Sequence, residues 1–335
     1  MRLVTLERSS EVRRTLQSEF AAALLKNALA ILLAAVCAAP AYAQAPPVGP
    51  LVLTLPSTPR TAALGNAWVA GRNPDVIFYN PAQLVGGGAT TFDLSLQRFG
   101  PEATMATVSS GYAGGKWSLT LGWGVQYLKF RVNPDASYPY SQDALLTSGS
   151  ASGSSTLVVV GGGILYKGFR IGAAGKFAAD TITLAATPAG SRPASYSAFL
   201  ADIGMSRSLF TGTAALSVQN LGGDAEDRSE RIPLPQQVLA GWSTTRAAGP
   251  LDLGIYGQVT MRDEWTSPGA GVEVGYSWID GYNVQLRAGV RRPEADTQRP
   301  FSFGAAFTAD RLTVEYGVQF FEGGRAANGV TIRWR

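Results

Sequence analysis

The stretch 116–127, KWSLTLGWGVQY, alternates between two kinds of residue. One set is apolar: Trp117, Leu119, Leu121, Trp123, Val125 and Tyr127. The positions between them are Lys, Ser, Thr, Gly or Gln. Because successive side chains of a strand point to opposite faces, this period of two predicts a β-strand with one apolar and one polar face. Such two-faced segments of roughly ten residues are typical of strands that cross a bilayer around a polar lumen.

The same alternation recurs along the chain, for example over 282–291 and 311–320. It predicts fourteen strands, near 89–98, 103–113, 116–130, 154–166, 169–185, 194–208, 211–220, 235–246, 250–262, 268–278, 281–292, 299–309, 311–321 and 327–335. Tight connections alternate with longer polar ones, such as 131–153 and 221–234, as in barrels with short periplasmic turns and long external loops. The predicted fold is therefore all-β, a transmembrane antiparallel β-barrel of about 14 strands. A soluble β-sandwich is the competing interpretation, but its strands are usually only about five or six residues long.

The amino terminus has the pattern of an export signal. Residues 28–39, ALAILLAAVCAA, follow Lys26 and precede Ala41-Tyr42-Ala43, an A-x-A cleavage site. This predicts a signal peptide over 1–43, which is removed, and a mature chain that starts at Gln44. A transmembrane helix needs about 20 apolar residues, more than this run offers. A lipoprotein signal at Cys37 is a minor alternative, and whether the residues before Lys26 are translated stays open.

The amino-acid composition limits the classes of function that this chain can have. The chain has no histidine, and its single cysteine, Cys37, lies in the predicted signal peptide. Ser-His-Asp and Cys-His catalysis and His-ligated metals are thereby excluded, so we expect no enzyme activity, no cofactor and no metal site. Residues 1–43 hold five of the 28 basic and three of the 24 acidic residues, so the mature chain has 23 and 21, a net charge of +2. That balance does not indicate a nucleic-acid partner.

A turn-rich apolar segment precedes the first strand. Residues 60–84, RTAALGNAWVAGRNPDVIFYNPAQL, are broken by two glycines and by the pairs Asn73-Pro74 and Asn80-Pro81. Because a segment this apolar should be buried, it predicts a hatch or plug, with 44–88 as a hatch segment inside the lumen and 89–335 as the barrel.

Several wall residues are candidates for function. Ionisable residues on the polar faces of strands predict a lumen lining or simple compensating pairs: Lys116, Arg170, Lys176, Glu273, Arg287, Arg291, Glu315 and Arg333. Gly161, Gly162 and Gly163 suggest either a bulge or kink that could open the wall, or close packing against an interior segment. The mixed-charge run 224–231 is interpreted as a solvated external loop.

Two motifs carry a family resemblance. Arg60-Thr61-Ala62-Ala63-Leu64-Gly65-Asn66-Ala67, followed by Asp75 and by Phe78-Tyr79-Asn80-Pro81-Ala82-Gln83-Leu84, resembles the amino-terminal signature of FadL-type channels and their PorV/PorQ-type relatives. Asn220-Leu221-Gly222 and Ile232-Pro233-Leu234-Pro235 resemble landmarks of the PorV/PorQ branch. The chain departs from the pattern by a single glycine at Gly65, by Gln83 in place of glycine, and by its end, Trp334-Arg335.

The resemblance implies a fourteen-stranded outer-membrane barrel of a Gram-negative-type bacterium, surrounded by outer-membrane lipid and inserted by the barrel assembly machinery. It implies hatch-gated, porin-like transport of a hydrophobic ligand such as a fatty acid. The hatch residues are then Arg60, Gly65, Asn66, Asp75, Phe78, Asn80, Pro81 and Leu84. A PorV-like accessory of a protein secretion system, docking substrate or machine components, is the alternative.

Overall fold

The structure is a computed structural model, and it describes residues 50–85, 90–100, 103–113, 119–132, 151–184, 193–223, 225–227, 230–232, 234–262, 265–294 and 298–335. The predicted signal peptide, 1–43, lies outside the described residues. The same holds for Lys116, for the ends of the predicted hatch segment at 44–49 and 86–88, and for much of the loop 131–153.

Fourteen of the described strands form one closed antiparallel barrel. They are β1 (Thr91–Phe99), β2 (Ala103–Ala113), β3 (Thr120–Val132), β4 (Ala151–Tyr166), β5 (Phe169–Leu184), β6 (Pro193–Leu209), β7 (Gly212–Leu221), β10 (Gln237–Ala248), β11 (Leu251–Arg262), β12 (Trp265–Ile279), β13 (Tyr282–Arg291), β14 (Gln298–Ala309), β15 (Leu312–Phe321) and β16 (Ala326–Trp334). Each strand pairs with the next along this series, and β1 pairs with β16 to close the ring. Two short strands, β8 (Ala225–Asp227) and β9 (Glu230–Ile232), form a hairpin between β7 and β10.

The predicted barrel and its fourteen strands are confirmed. The structure differs from the prediction at strand ends and in the run 224–231, predicted as a loop, where β8 and β9 pair. β4 begins at Ala151, although Ser152 and Gly153 were predicted to lie in the preceding loop. Both residues pair with β3 and with β5, because ladder hydrogen bonds come from the backbone and not from the side chain. β12 likewise begins at Trp265, before the predicted start at Pro268.

The barrel has two distinct ends. Two-residue connections at 167–168, 210–211, 249–250, 280–281 and 310–311 lie at one end, which we call the turn end. Thr91 at the start of β1 and Trp334 at the end of β16 lie at the same end, since β1 and β16 run antiparallel and Phe92 pairs with Trp334. The opposite end, from which the longer connections leave, is the loop end.

Of the alternatives predicted for Gly161–Gly163, the bulge is not observed. Pairing of β4 runs through these three residues without a register shift toward β3 or β5. Register shifts occur instead between β6 and β7 at Ala201/Ile203, between β12 and β13 at Ser277/Ile279, and between β14 and β15 at Gln298/Ser302. The wall therefore does not open at the glycine run in this structure.

Large apolar side chains cover the outer face of the barrel. Leu286 is 61% exposed, Val160 is 61% exposed and Phe199 is 80% exposed. Near the turn end, Trp278 stacks on Tyr276 and on Phe307, with ring centroids 6.3 and 6.2 Å apart. Inward-facing positions of the same strands are polar or small, as in β1, where Asp93, Ser95 and Gln97 are buried.

Within the described residues, we find no helix that combines the length and the apolar character needed to cross a membrane.

A closed barrel of this kind predicts two properties of the purified protein. In detergent it should give a circular dichroism spectrum dominated by β-structure. Unheated and boiled samples should migrate differently in a denaturing gel, because a closed ring of paired strands has no free edge from which to unravel. A monomer that stays soluble without detergent would contradict this expectation.

Candidate functional site in the barrel lumen

Residues 50–85, here called the lumen segment, contact all fourteen strands of the barrel. A helix, α1 (Pro59–Ala63), packs against β13 to β16. The 3₁₀ turn Pro74–Phe78 reaches β1 to β4, and the 3₁₀ turn Pro81–Leu84 reaches β3 to β6. On the remaining side, residues of β7, β10 and β11 form hydrogen bonds with the lumen segment. One segment can touch every strand only from within the ring, so the lumen segment lies inside the barrel.

Local sequence explains its compact path. Thr58 caps α1 by accepting a hydrogen bond from the Thr61 amide at 3.3 Å, and Pro59 occupies the first helical position, where no N–H is needed. The 3₁₀ turns Pro74–Phe78 and Pro81–Leu84 likewise begin with the proline of an Asn-Pro pair, whereas a third turn, Leu51–Leu53, follows Pro50. The Asn80 side chain accepts from the Ala82 amide at 3.0 Å and donates to the Val69 carbonyl at 3.1 Å. Proline and asparagine thus fix the turns without a regular helix or sheet.

Gly65 and Asn66 form a tight left-handed corner after α1. Their φ angles are 63° and 60°. A Cβ at Gly65 would lie 2.7 Å from the carbonyl oxygen of Ala270, so no larger residue fits there. Asn66 needs only the left-handed conformation, which asparagine adopts more readily than most residues. This accounts for the single glycine in this part of the motif.

Glycines on the inner wall make room for the lumen segment. A Cβ at Gly289 would lie 2.6 Å from the Ala63 carbonyl oxygen, and one at Gly271 would lie 2.7 Å from the Leu64 carbonyl oxygen. The same close approach brings other wall glycines against the segment: Gly122 against Leu84, Gly124 against Phe78, Gly163 against Val85, Gly172 against Pro81 and Ala82, Gly204 against Asn80, and Gly317 against Pro59. For Gly163, close packing on an interior segment is thus the arrangement observed.

Asp75 joins the two halves of the lumen segment. Its carboxylate accepts from Thr58 Oγ1 at 2.8 Å and from Trp68 Nε1 at 3.1 Å, and all three residues are buried. The guanidinium of Arg60 lies over the Trp68 ring, 4.7 Å from its centroid. Ser57 donates its amide to the Tyr79 hydroxyl at 2.8 Å, and burial raises the pKa of Tyr79 to about 12.

A chain of buried ion pairs connects the lumen segment to the wall. We call the six residues the charge network: Arg60, Asp93, Glu273, Arg287, Glu315 and Arg333. Arg60 Nη2 lies 2.9 Å from Glu273 Oε2, and Arg287 Nε lies 2.5 Å from the same oxygen. Glu315 Oε1 is 3.2 Å from Arg287 Nη2 and 3.0 Å from Arg333 Nη1. Arg333 Nη2 in turn lies 2.7 Å from Asp93 Oδ2.

The charge network holds three cations and three anions, and Arg60 is its one member from the lumen segment. Burial alone would lower the pKa of the Arg60 guanidinium, but the carboxylates of Glu273 and Glu315 raise it above its ordinary value. The Asp93–Arg333 pair spans β1 and β16, the two strands that close the barrel. The ion pair of Arg60 with Glu273, which anchors α1, therefore belongs to the same network as the ion pair between β1 and β16.

Buried amides anchor the lumen segment on the opposite wall. Gln258 on β11 accepts from the amides of Trp68 and Val69 at 3.0 and 2.8 Å. Gln219 on β7 donates to the carbonyls of Phe78 and Tyr79, both at 2.8 Å. Beside it, Asp202 accepts from Lys176 at 2.7 Å and from the backbone amide of Asn220 at 2.9 Å.

The structure places the predicted lining residues in different parts of the barrel wall. Glu273, Arg287, Glu315 and Arg333 meet in the charge network, whereas Lys176 pairs with Asp202. Arg291 lies near the loop end, and Arg170 is half-buried near the turn end. Lys116 lies outside the described residues. Whether any of them selects a solute stays a prediction.

Sequence reasoning missed several polar residues that hold the lumen segment. Asp93 could have been found, because it occupies the polar parity of β1 between Phe92 and Leu94. Gln258 and Gln219 also lie on polar faces, but nothing in their local sequence distinguishes them from glutamines whose side chains contact only water. Their partners are backbone groups of a segment far away along the chain.

A cavity lies between the lumen segment and the loop end. Its volume is about 60 Å³, and it is partly open to solvent. Val52, Leu53 and Leu55 of the lumen segment form one side, with Leu157 and Leu239 of the wall. The lining also includes the aromatic residues Phe78, Tyr79 and Trp265 and several polar residues, among them Lys176, Gln126, Gln237, Arg262 and Arg291.

Among the residues that the structure describes, no three His, Cys, Asp or Glu side chains are grouped so that they could hold a metal ion.

Loss of the Arg60 guanidinium should destabilise the protein. Arg60→Met keeps most of the side-chain volume but leaves Glu273 short of a partner, and breaking a buried pair in this way costs about 3–5 kcal/mol. Urea unfolding in micelles, followed by tryptophan fluorescence, would measure the loss. Arg299→Met is the matched control, because Arg299 and Glu322 form a 3.5 Å surface pair with side chains 58% and 55% exposed. Such pairs contribute about 0–1 kcal/mol, so equal effects of the two variants would contradict a structural role for the charge network.

A methyl group on the inner wall should disturb the lumen segment. In Gly289→Ala the new Cβ would overlap the backbone nitrogen of Gly65 and press on the Ala63 carbonyl. We expect a loss of about 1–3 kcal/mol, typical of overpacking, in the same urea titration. The control is Gly257→Ala, whose Cβ would have no atom within 4 Å. If Gly289→Ala is as stable as the control, the packing described here is wrong.

Solved structures with a similar fold exist. The toluene transporter TbuX of Ralstonia pickettii matches with a TM-score of 0.55 and 12% identity, over 83% of this chain and 98% of that one. The toluene transporter TodX of Pseudomonas putida matches with a TM-score of 0.54 and 8% identity, over 82% and 95%. A Pseudomonas aeruginosa FadL homologue matches with a TM-score of 0.52 and 10% identity, over 83% and 97%.

Comparison of the sequence alone gives no match. No protein-family model matches the chain, and no curated protein matches it in sequence. At 8–12% identity the structural likeness establishes the fold alone. The resemblance to FadL-type barrels, drawn from the motif at 60–84, is thus confirmed at the level of the fold. The resemblance of 220–235 to the PorV/PorQ branch stays a prediction.

Proposed function

We propose that the protein is a non-enzymatic outer-membrane barrel that carries a hydrophobic small molecule, such as a fatty acid, past the lumen segment, which acts as its hatch. The observation that carries this proposal is the position of the cavity. Its apolar side is made by Val52, Leu53 and Leu55, which belong to the same segment that fills the lumen beyond. A solute bound there touches the part of the chain that must move before it can pass.

The outer face supports a membrane location. Exposed side chains such as Phe199, Leu286 and Val160 lie on strands all around the barrel. A protein in water rarely exposes an apolar surface larger than a few hundred Å². Lipid covers such a surface, and the aromatic cluster around Trp278 is typical of the girdle at a membrane interface.

The fold supports the class of cargo. TbuX and TodX, which share this fold, are toluene transporters. We expect transport to require a shift of the lumen segment, because this segment contacts all fourteen strands from inside the barrel. Such a shift would break the contacts of Arg60 with Glu273 and of Gln258 with the amides of Trp68 and Val69.

The experiment is uptake of a labelled apolar compound, toluene or decanol, by cells that lack other channels for it. Cells that carry the protein should take up the compound several-fold faster than cells that do not. Absence of uptake, together with stable co-purification in a much larger membrane complex, would contradict transport and favour the secretion-accessory alternative.

A disulfide tests the hatch within the same assay. The Ala63 Cβ lies 2.7 Å from the position of a Cβ on Gly304, so a small shift brings a pair of cysteines there to bonding distance. Gly304→Cys crowds the wall in both redox states, so the comparison is made within one variant. Ala63→Cys with Gly304→Cys should transport faster when reduced than when oxidised, since oxidation tethers α1 to β14. The single variants are controls, and the predicted mature chain has no other cysteine. Unchanged uptake with the disulfide fully formed would contradict gating by the lumen segment.

A further inference from the structure

A row of side chains on the outer face crosses five strands near the turn end. Strand pairing places each member beside the next, and we call the set the interface row: Tyr166, Phe169, Arg207, Ala214 and Trp242, on β4, β5, β6, β7 and β10. Tyr166 is 54% exposed. Aromatic rings at one height on the outside of a barrel are typical of the level at which the wall meets the membrane surface.

The next row on the same face, toward the middle of the barrel wall, is entirely apolar. It also follows the strand pairing, and we call it the apolar row: Ile164, Ile171, Met205, Leu216 and Ala240. Its first four members are between 39% and 44% exposed. Residues two apart on a strand are separated by about 7 Å. The interface row therefore adjoins a surface that suits lipid acyl chains.

Arg207 is the charged member of the interface row. Its guanidinium lies over the Phe169 ring, 4.7 Å from the centroid, which restrains its position. Lys167, in the turn between β4 and β5, has its ammonium 5.3 Å from the centroid of the Tyr166 ring. Among the described residues, neither Arg207 nor Lys167 forms a side-chain hydrogen bond or an ion pair. Two adjacent cations are thus held over aromatic rings without a carboxylate partner.

The far side of the barrel differs in charge. There the corresponding outward row near the turn end is uncharged: Tyr276, Val284, Phe307, Val314 and Ile332. The stretches that precede β1 and β3, 86–89 and 114–118, contain no acidic residue that could serve as a counter-ion. An anion from outside the chain can supply the missing charge at Arg207 and Lys167.

Phe210 is an unusual residue at the same edge. It lies in the connection from β6 to β7, three residues after Arg207. Its side chain is 92% exposed and its φ is 52°, although bulky residues seldom adopt the left-handed conformation. Exposure of an aromatic ring to water is unfavourable, whereas the head-group region of a membrane suits it. This conformation directs attention to lipid at the turn end, independently of the charges.

We propose that Arg207 and Lys167 bind the phosphate of an anionic phospholipid in the leaflet at the turn end, with its acyl chains against the apolar row. A guanidinium can donate two parallel hydrogen bonds to a phosphate, and an ammonium adds a point charge. The apolar row selects a lipid over a free anion or an acidic protein, because it continues the same face. This inference rests on the proposed membrane location and does not depend on transport of a solute.

The test compares two lipids that differ only in the head group. Native mass spectrometry of the full protein in detergent micelles measures binding of dioleoyl phosphatidylglycerol and dioleoyl phosphatidylcholine. Wild type should bind phosphatidylglycerol about fivefold more tightly, since one basic residue near an anionic lipid surface contributes about 1 kcal/mol. Arg207→Gln should remove most of this preference and Lys167→Gln should reduce it, with phosphatidylcholine binding nearly unchanged.

Arg299→Gln is the matched control, because Arg299 is also exposed but lies at the loop end beside Glu322. It should keep the preference, and the heat-dependent gel shift shows whether each variant is folded. Equal affinity of wild type for both lipids would overturn the head-group site. A preference that both Arg207→Gln and Lys167→Gln retain would overturn its assignment to these residues.

Inorganic phosphate distinguishes a lipid from a free anion as the occupant. Added phosphate should displace phosphatidylglycerol no more than sodium chloride of the same ionic strength does. Stronger displacement by phosphate would contradict a lipid site and indicate one for a free anion. A monomer that stays soluble without detergent would overturn the membrane location itself, so the two failures are distinguishable.

Discussion

The pairing of Arg60 with Glu273 and Glu315 is the interaction on which the interior of this barrel depends. Taking ions out of water is expensive, and the cost is recovered only where opposite charges meet at short distance with further hydrogen bonds. With the lumen segment in place, the charge network balances three cations against three anions. Without Arg60 the wall keeps a surplus carboxylate. The wall and the lumen segment are therefore electrostatically complementary parts of one structure.

Steric fit reinforces this dependence. The inner wall has glycine where α1 and the proline turns approach it, and long amides, Gln219 and Gln258, where backbone groups of the segment need partners. The cavity beside Leu53 lies next to this segment. Under the proposed function, a solute that passes the lumen segment breaks the contacts that hold it to the wall.

Much of the fold could be predicted from the sequence, because lipid outside and a polar lumen inside impose a period of two on every strand. The alternation, as at 116–127 and 311–320, therefore predicts the number of strands. It does not predict strand ends such as Ala151, since backbone pairing does not require apolar residues. Charged residues on polar faces, such as Glu315, could be assigned to the lumen. Their partners could not, because Arg60 and Glu273 are separated by 213 residues. The consecutive glycines at 161–163 are compatible with both a distorted strand and close packing for a related reason. A glycine allows another part of the chain to approach the backbone, but the sequence does not show which part does.

Hydrogen exchange of the backbone amides tests most directly whether the lumen segment is an integral, electrostatically held part of the barrel. In nanodiscs, the amides of Trp68 and Val69, which donate to Gln258, should exchange as slowly as those of β11 and β12. In Arg60→Met, exchange across 58–85 should rise while the strands stay protected. If these amides exchange at the rate of an unstructured peptide in the wild-type protein, the segment does not occupy the lumen as described.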